Sequence, residues 1–283
     1  MSDTTQILRY AAFTADAAGG NPAGVVLDAA ALSGEQMQGI AADVDYSETA
    51  FITGFEGDSH HIRYFSPLAE VPFCGHATIA TAVALAERDG PGLIRFATAV
   101  GEIQIQTRID ADGQVRAAFT SVEPAVADFP PGVLDSLLGL LGLTSAELDD
   151  RYPARVAFAG NWHPIIVVAD ARSFDAFTFD PGAVRRMMDD NGWSGTVTVL
   201  HALGEREFEA RNLFPVGRIT EDPATGSAAA SLGGYLRELG LVTPPARVIV
   251  RQGRHVGRPS ALTIDIPFTG GMTVSGTAVP IRV

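Results

Sequence analysis

The 283-residue sequence predicts an α+β protein of two similar halves, each a mixed sheet wrapped around one hydrophobic helix. Three observations carry that expectation. A short pattern occurs twice, about half a chain length apart: Glu70-Val71-Pro72-Phe73-Cys74-Gly75-His76-Ala77 and Glu221-Asp222-Pro223-Ala224-Thr225-Gly226-Ser227-Ala228. Self-similarity of this kind marks a duplicated architecture. Each copy runs into a stretch without charge, Ala77–Ala86 and Gly226–Leu236, and a helix apolar on every side is a buried helix. Strands and helices also alternate without the regular βαβ succession of a doubly wound parallel sheet.

The elements follow in order. Residues 7–13 and 24–28 read as strands around a Gly19-Gly20-Asn21-Pro22 loop. Ser33-x-x-Gln36 is a capping box, opening a helix with Met37, Ile40, Ala41 and Val44 on its apolar face. Tyr46–Thr53 and His60–Phe65 read as strands leading to the first motif. Glu102–Thr107 alternates, and Asp112-Gly113 makes a hairpin turn before Gln114–Thr120. Pro124 to Gly132 holds three prolines and is the expected domain boundary. Beyond it come a helix near Leu134–Leu141, a strand at Pro164–Val168, a helix near Pro181–Asp190, and strands toward the second motif. The strand-rich tail, Ala261–Ile266 and Met272–Val283, crosses back to the first half. The expected domains are therefore 1–122 plus 270–283, and 123–269.

Composition excludes several function classes. A hydrophobic content of 46% suits two folded cores. A formal charge of −13 argues against nucleic acid and against an anionic membrane surface. An acidic substrate would need a locally positive site. The opening MSDTTQILRYAAF lacks a basic region followed by an apolar core, and no apolar run approaches the roughly 20 residues of a bilayer span. One cysteine, Cys74, rules out an intramolecular disulfide and suits the cytoplasm. Phosphate-loop and dinucleotide-loop patterns are missing, so a nucleotide or dinucleotide cofactor held by those routes is not expected, and there is no nucleophile elbow. His60-His61 would point to opposite faces of a strand, and with Asp58-Ser59 they read as a solvated turn, so no metal is expected either.

The chemistry should lie where the repeats begin. The first N–H groups of a helix have no partners within it, and the dipole places partial positive charge there. Helices starting at Gly75-His76 and Gly226-Ser227 would each offer a carboxylate-binding end. Glu48, in Tyr46-Ser47-Glu48-Thr49-Ala50-Phe51, would share its strand face with Ala50 and Ile52. Ionising a carboxyl there is costly, which favours acid–base work. His76 and Asp222 also read as helix-start residues of purely structural use, and a thiol near a helix N-terminus, as in Cys74, is a chemical alternative.

Together these segments resemble the phenazine biosynthesis PhzF-like isomerases, related in fold to diaminopimelate epimerase. The likeness also rests on Gly20-Asn21-Pro22-Ala23-Gly24-Val25 and on Gln252-Gly253 with Gly257-Arg258-Pro259-Ser260, and it spans essentially the whole chain. It implies two β-barrel-like domains related by a pseudo-twofold, an interdomain cleft, cofactor-free acid–base chemistry and, commonly, a homodimer. By resemblance the catalytic residues fall on Glu48, His76 and Asp222. Substrate-binding positions fall on Gly75, Gly226, Ser227, Asn21 and Cys74, and on His163 in an epimerase-like Gly160-Asn161-Trp162-His163 segment. The epimerase uses a thiol at each helix start, whereas here the second position is Thr225. The expected activity is a proton shift on a small carboxylate metabolite. A Cys74-dependent racemase or epimerase and a non-catalytic metabolite-binding protein are the alternatives.

Overall fold

The computed structural model describes residues 5–215 and 220–282. The first four residues of the N-terminal segment and residue 283 of the expected tail lie outside them. The chain divides into two compact units, Met1–Thr120 with Ser275–Val283, and Ser121–Val274. Those divisions fall a few residues from the expected 122–123 and 269–270.

The first unit contains β1 (Leu8–Ala12), β2 (Asn21–Val26), α1 (Gly34–Val44), β3 (Glu48–Glu56), β4 (Ser59–Phe65), β5 (Glu70–Val71), α2 (Gly75–Asp89), β6 (Leu93–Thr98), β7 (Gly101–Ile109) and β8 (Val115–Thr120). The second contains β9 (Ala125–Ala127), α3 (Val133–Leu140), β10 (Arg155–Phe158), β11 (Trp162–Val167), α4 (Ala171–Ala176), α5 (Pro181–Asp190), β12 (Val197–Gly204), β13 (Glu207–Leu213), β14 (Glu221–Asp222), α6 (Gly226–Glu238), β15 (Ala246–Gln252) and β16 (Ser260–Ile266). The last strand, β17 (Thr273–Pro280), returns to the first unit.

In the first unit the pairing runs β1-β2-β3-β4-β6-β7-β8-β17 and back to β1, a closed eight-stranded barrel. Closure removes the exposed sheet edges that invite aggregation. The parallel pairs are β2 with β3 and β4 with β6, bridged by α1 and α2. The second unit repeats this order: β10-β11 antiparallel, β11-β12 parallel, β12-β13 antiparallel, β13-β15 parallel, β15-β16 antiparallel. The duplication read from two octapeptides is thus a duplication of topology. The fold is the diaminopimelate epimerase-like α+β class.

The two central helices are α2 and α6. Every residue from His76 to Ala86 is buried, as is Ala228 to Leu236. Alanine, threonine and aliphatic side chains permit this, and the threonine hydroxyls are satisfied within the helix. Thr78 Oγ1 donates to Cys74 O and Thr81 Oγ1 to Ala77 O, both at 2.7 Å. α1 covers the outside of its barrel: Met37 and Ala41 pack on Val26, Phe51 and Phe65. Both bonds of the Ser33–Gln36 capping box are made, at 2.8 and 3.2 Å. In the second unit α3 and α5 hold a larger core around Leu137, Leu138, Val184, Met188 and Trp193.

Two readings are corrected. Asn21 and Pro22 belong to β2, paired with Ala12 and Ala11, because the turn closes earlier, at Gly20. Of the two readings of His60-His61, the strand holds and the solvated turn does not: both belong to β4 and pair with Phe55 and Gly54, and the turn precedes them. The His60 ring lies 4.2 Å from Phe55 and 5.8 Å from Phe96, while His61 Nε2 sits 3.3 Å from Glu56. No helix among the described residues is long and apolar enough to cross a membrane.

The repeated glutamate has a structural cause. Glu70 forms a two-pronged ion pair with Arg63 of β4, at 2.7 Å for each prong. Glu221 does the same with Arg211 of β13, where the guanidinium is buried, stacks 3.7 Å from the Phe177 ring and donates to the Phe174 and Phe177 carbonyls. Each pair fastens the short strand that delivers the central helix.

The end of β15 makes the α6 start sensitive to one glycine. Gly253 has φ +82°, and an added Cβ would land on the Arg258 and Pro223 carbonyl oxygens. Gly257 has φ +71° with open space around it. Gly257→Ala is expected to cost about 1–2 kcal/mol from backbone strain alone, and Gly253→Ala a further ~1–3 kcal/mol from the collision. Urea unfolding checks the order, and equal losses would contradict this account.

Candidate active site

Glu48 opens β3, Cys74 is the cap residue of α2, and His76 is the second residue of that helix. Their reactive atoms converge. The Cys74 thiol donates to Glu48 Oε2 at 3.4 Å and lies 3.4 Å from His76 Nδ1. His76 Nε2 is 3.5 Å from the same carboxylate oxygen and 3.4 Å from Ser47 Oγ. Cys74 and His76 are buried, and the Glu48 side chain retains 21% exposure. Strand alternation explains the placement, since Phe51 turns outward beneath α1 while Glu48 faces the start of α2.

The cap residue is held from behind. Thr78 commits its hydroxyl proton to the Cys74 carbonyl, so the Tyr64 hydroxyl, 2.6 Å away, donates to Thr78 Oγ1. Burial pushes the Tyr64 phenol well above its ordinary range and keeps it a donor. The Cys74 side chain makes no cap bond to α2, and no acidic residue occupies the first turn. Its leading N–H groups therefore keep their capacity for an anion. At Gly75 an added Cβ would meet only the Phe73 ring, 3.9 Å off, so the backbone is approachable there. Asn21, the first residue of β2, is buried.

Register shows what the second half carries at these positions. Phe65 pairs with Glu70 and with Thr49, and Leu213 pairs with Glu221 and with Val197. Thr196 thus corresponds to Glu48, Thr225 to Cys74, and Ser227 to His76. The acid, thiol and imidazole of one half are three hydroxyls in the other. Asp222 stands close by: its Oδ2 accepts from Thr225 Oγ1 at 2.6 Å. Gln252 ties the segment together, accepting from the Thr225 N–H at 3.1 Å and donating to the Asp222 carbonyl at 2.6 Å. Like α2, α6 has no side-chain cap where Gly226 and Ser227 begin it.

His163 is fully buried, with both ring nitrogens engaged. Nδ1 lies 2.9 Å from the Thr196 N–H, which can only donate, so the ring proton is assigned to Nε2, 3.1 Å from Ser227 Oγ. Behind it, Thr196 and Thr198 both donate to Asn212 Oδ1, at 2.7 and 2.6 Å. A ligand would feel His163 through Ser227. Sequence reasoning singled out neither this network nor Ser47, Tyr64, Thr78, Arg63 and Arg211. Ser47 and Gln252 appear there only as members of the segments Tyr46–Phe51 and Gln252-Gly253.

Burial pulls the His163 pKa from 6.5 to about 4. Between those values the unfolded chain binds a proton that the folded chain refuses. Stability is therefore full above about pH 6.5 and falls as pH drops toward 4, by an amount of order 3 kcal/mol. The urea midpoint of the wild type should fall between about pH 7 and about pH 4.5, and His163→Gln should fall less over the same interval. Equal falls would assign the loss elsewhere.

Residues 10–282 match the family model described as phenazine biosynthesis-like protein. An isomerase of Deinococcus radiodurans is 32% identical, covering 94% of this chain and 88% of its own. The trans-2,3-dihydro-3-hydroxyanthranilate isomerase of Pseudomonas aeruginosa is 28% identical, over 89% and 86%. The crystal structure of a Bacillus anthracis phenazine biosynthesis protein of the PhzF family superposes with a TM-score of 0.85 at 26% identity, covering 98% of each chain. With its barrel, its buried helix and this match along nearly its whole length, the chain belongs to the PhzF-like family of isomerases.

Proposed function

We propose that this isomerase moves a proton on a small carboxylate metabolite by cofactor-independent acid–base catalysis, with Glu48 as the group that takes the proton from carbon and returns it. The convergence of Glu48, Cys74 and His76 at the uncapped start of a buried helix carries this reading. Glu48 Oε2 has a thiol and an imidazole nitrogen within 3.5 Å. Either neighbour can hydrogen-bond the carboxyl as its charge changes. With a chain charge of −13, the leading N–H groups of α2 are a suitable positive element for a substrate carboxylate. The Pseudomonas aeruginosa relative is named for a small carboxylate, which supports that substrate class. Asp222 is assigned a part in the same turnover through the family motif. Positioned acid–base catalysis supplies about 10²–10⁴-fold, and orientation with exclusion of water must supply the rest. A cytoplasmic homodimer belongs to the same reading.

A second reading has one observation in its favour: Cys74 Sγ is 3.4 Å from both Glu48 and His76. A thiol relayed by these neighbours could itself abstract the proton. The matching position in the other half is Thr225, and a hydroxyl is too weak a base for a symmetric two-thiol exchange.

Incubation with a panel of small unsaturated and amino carboxylic acids in deuterated water, followed by proton NMR, would show which carbon exchanges its hydrogen. Glu48→Gln is expected to reduce exchange at least about 100-fold without unfolding the protein, while Cys74→Ser retains most of it. Near-normal exchange in Glu48→Gln with loss in Cys74→Ser would transfer the role to the thiol. Asp222→Asn is expected to slow exchange without abolishing the fold.

A further inference from the structure

We propose that Glu48, Cys74 and His76 also form a binding site for a thiophilic divalent cation, zinc above all. Thiolate, imidazole and carboxylate are the ligands zinc takes, at about 2.3 Å from sulfur and about 2.0–2.2 Å from nitrogen or oxygen. A tetrahedron with those bonds has ligand-to-ligand edges of roughly 3.3–3.6 Å. The structure presents Sγ to Oε2 at 3.4 Å, Nε2 to Oε2 at 3.5 Å and Sγ to Nε2 at 3.8 Å. Two edges already fit, and the third closes with a small rotation of the imidazole. Among the described residues no other trio of histidine, cysteine or acidic side chains gathers its ligand atoms so closely.

The electrostatics also balance. The positive end of α2 opposes a bare cation, but it favours the thiolate at the cap position. On binding, the Cys74 proton leaves to solvent and His76 coordinates as neutral imidazole through Nε2, giving up its contact with Ser47. Thiolate and carboxylate then supply two negative charges against two positive ones. Three protein ligands leave a fourth position open to water or to a substrate oxygen. The positions of the trio are set by the Tyr64–Thr78–Cys74 chain and by β3, so the site is largely formed before the ion arrives. A bound ion would occupy Glu48 and block proton abstraction. That consequence rests on the proposed function, whereas the binding itself does not.

Cobalt(II) is the probe. Titrated into the purified full-length protein, it should give a thiolate-to-metal charge-transfer band that saturates at one ion per chain and disappears on adding zinc(II). With one cysteine in the chain, the band reports on Cys74 alone. Cys74→Ser should abolish it. Glu48→Gln and His76→Gln should weaken binding more than tenfold, because even changes beyond the ligand shell cost about 10–100-fold. Circular dichroism verifies the fold of each variant. No band in the wild type, or a band of unchanged affinity in Glu48→Gln and His76→Gln, overturns the proposal. In the active protein, zinc(II) should inhibit and a chelator should restore turnover. If no turnover is found with any substrate, the spectroscopic result still decides the metal site.

Discussion

A helix buried on every side leaves its first N–H groups without partners inside it, and the rest of this structure is organised around that constraint. In α2 the apolar length from His76 to Ala86 fills the barrel, so polar capacity concentrates at the start. Small residues let the strands close around the helix. The threonine hydroxyls turn back to the carbonyl four residues earlier and add no unsatisfied group to the core. The cap position is then occupied by Cys74, which makes no side-chain cap bond and instead faces Glu48 and His76. Reactive groups and anion-binding groups thus meet for one physical reason: that end of the helix is where unsatisfied polarity remains.

Duplication supplies the frame twice and the chemistry unevenly. Both halves pair their strands in the same order, and both fasten the short strand before the helix with an arginine–glutamate pair. The positions of Glu48, Cys74 and His76, however, are held by Thr196, Thr225 and Ser227 in the second half. The second half holds its hydroxyls with a neutral, buried His163 and with Gln252. Such groups orient and donate, but they do not take a proton from carbon. This asymmetry is the ground for proposing a proton shift managed by Glu48 over a two-base exchange.

Much of this was legible in the sequence because it depends on local pattern. The repeat, the uncharged helical stretches and the Ser33–Gln36 box each depend on residues near one another in the chain. Glu48 was accessible by strand alternation, and Cys74 and His76 by their place at a helix start. What was not legible depends on pairing between distant strands. Arg63 and Arg211 reach their glutamates across β-ladders, and Gln252 reaches Asp222 and Thr225 from the end of β15. The partner that fixes the His163 ring, the Thr196 N–H, comes 33 residues further on. The loop reading of Asn21-Pro22 and the turn reading of His60-His61 rest on turn-forming composition, whereas the neighbouring strands draw those residues into ladders.

The α2 start presents its leading N–H groups beside Glu48, Cys74 and His76. Amide chemical shifts of the isotope-labelled protein, titrated with benzoate as a small carboxylate probe, test it directly. Saturable shifts at Gly75, His76 and Ala77, displaced by a true substrate, are the expected result. Saturable shifts elsewhere with those three amides unmoved would contradict the account.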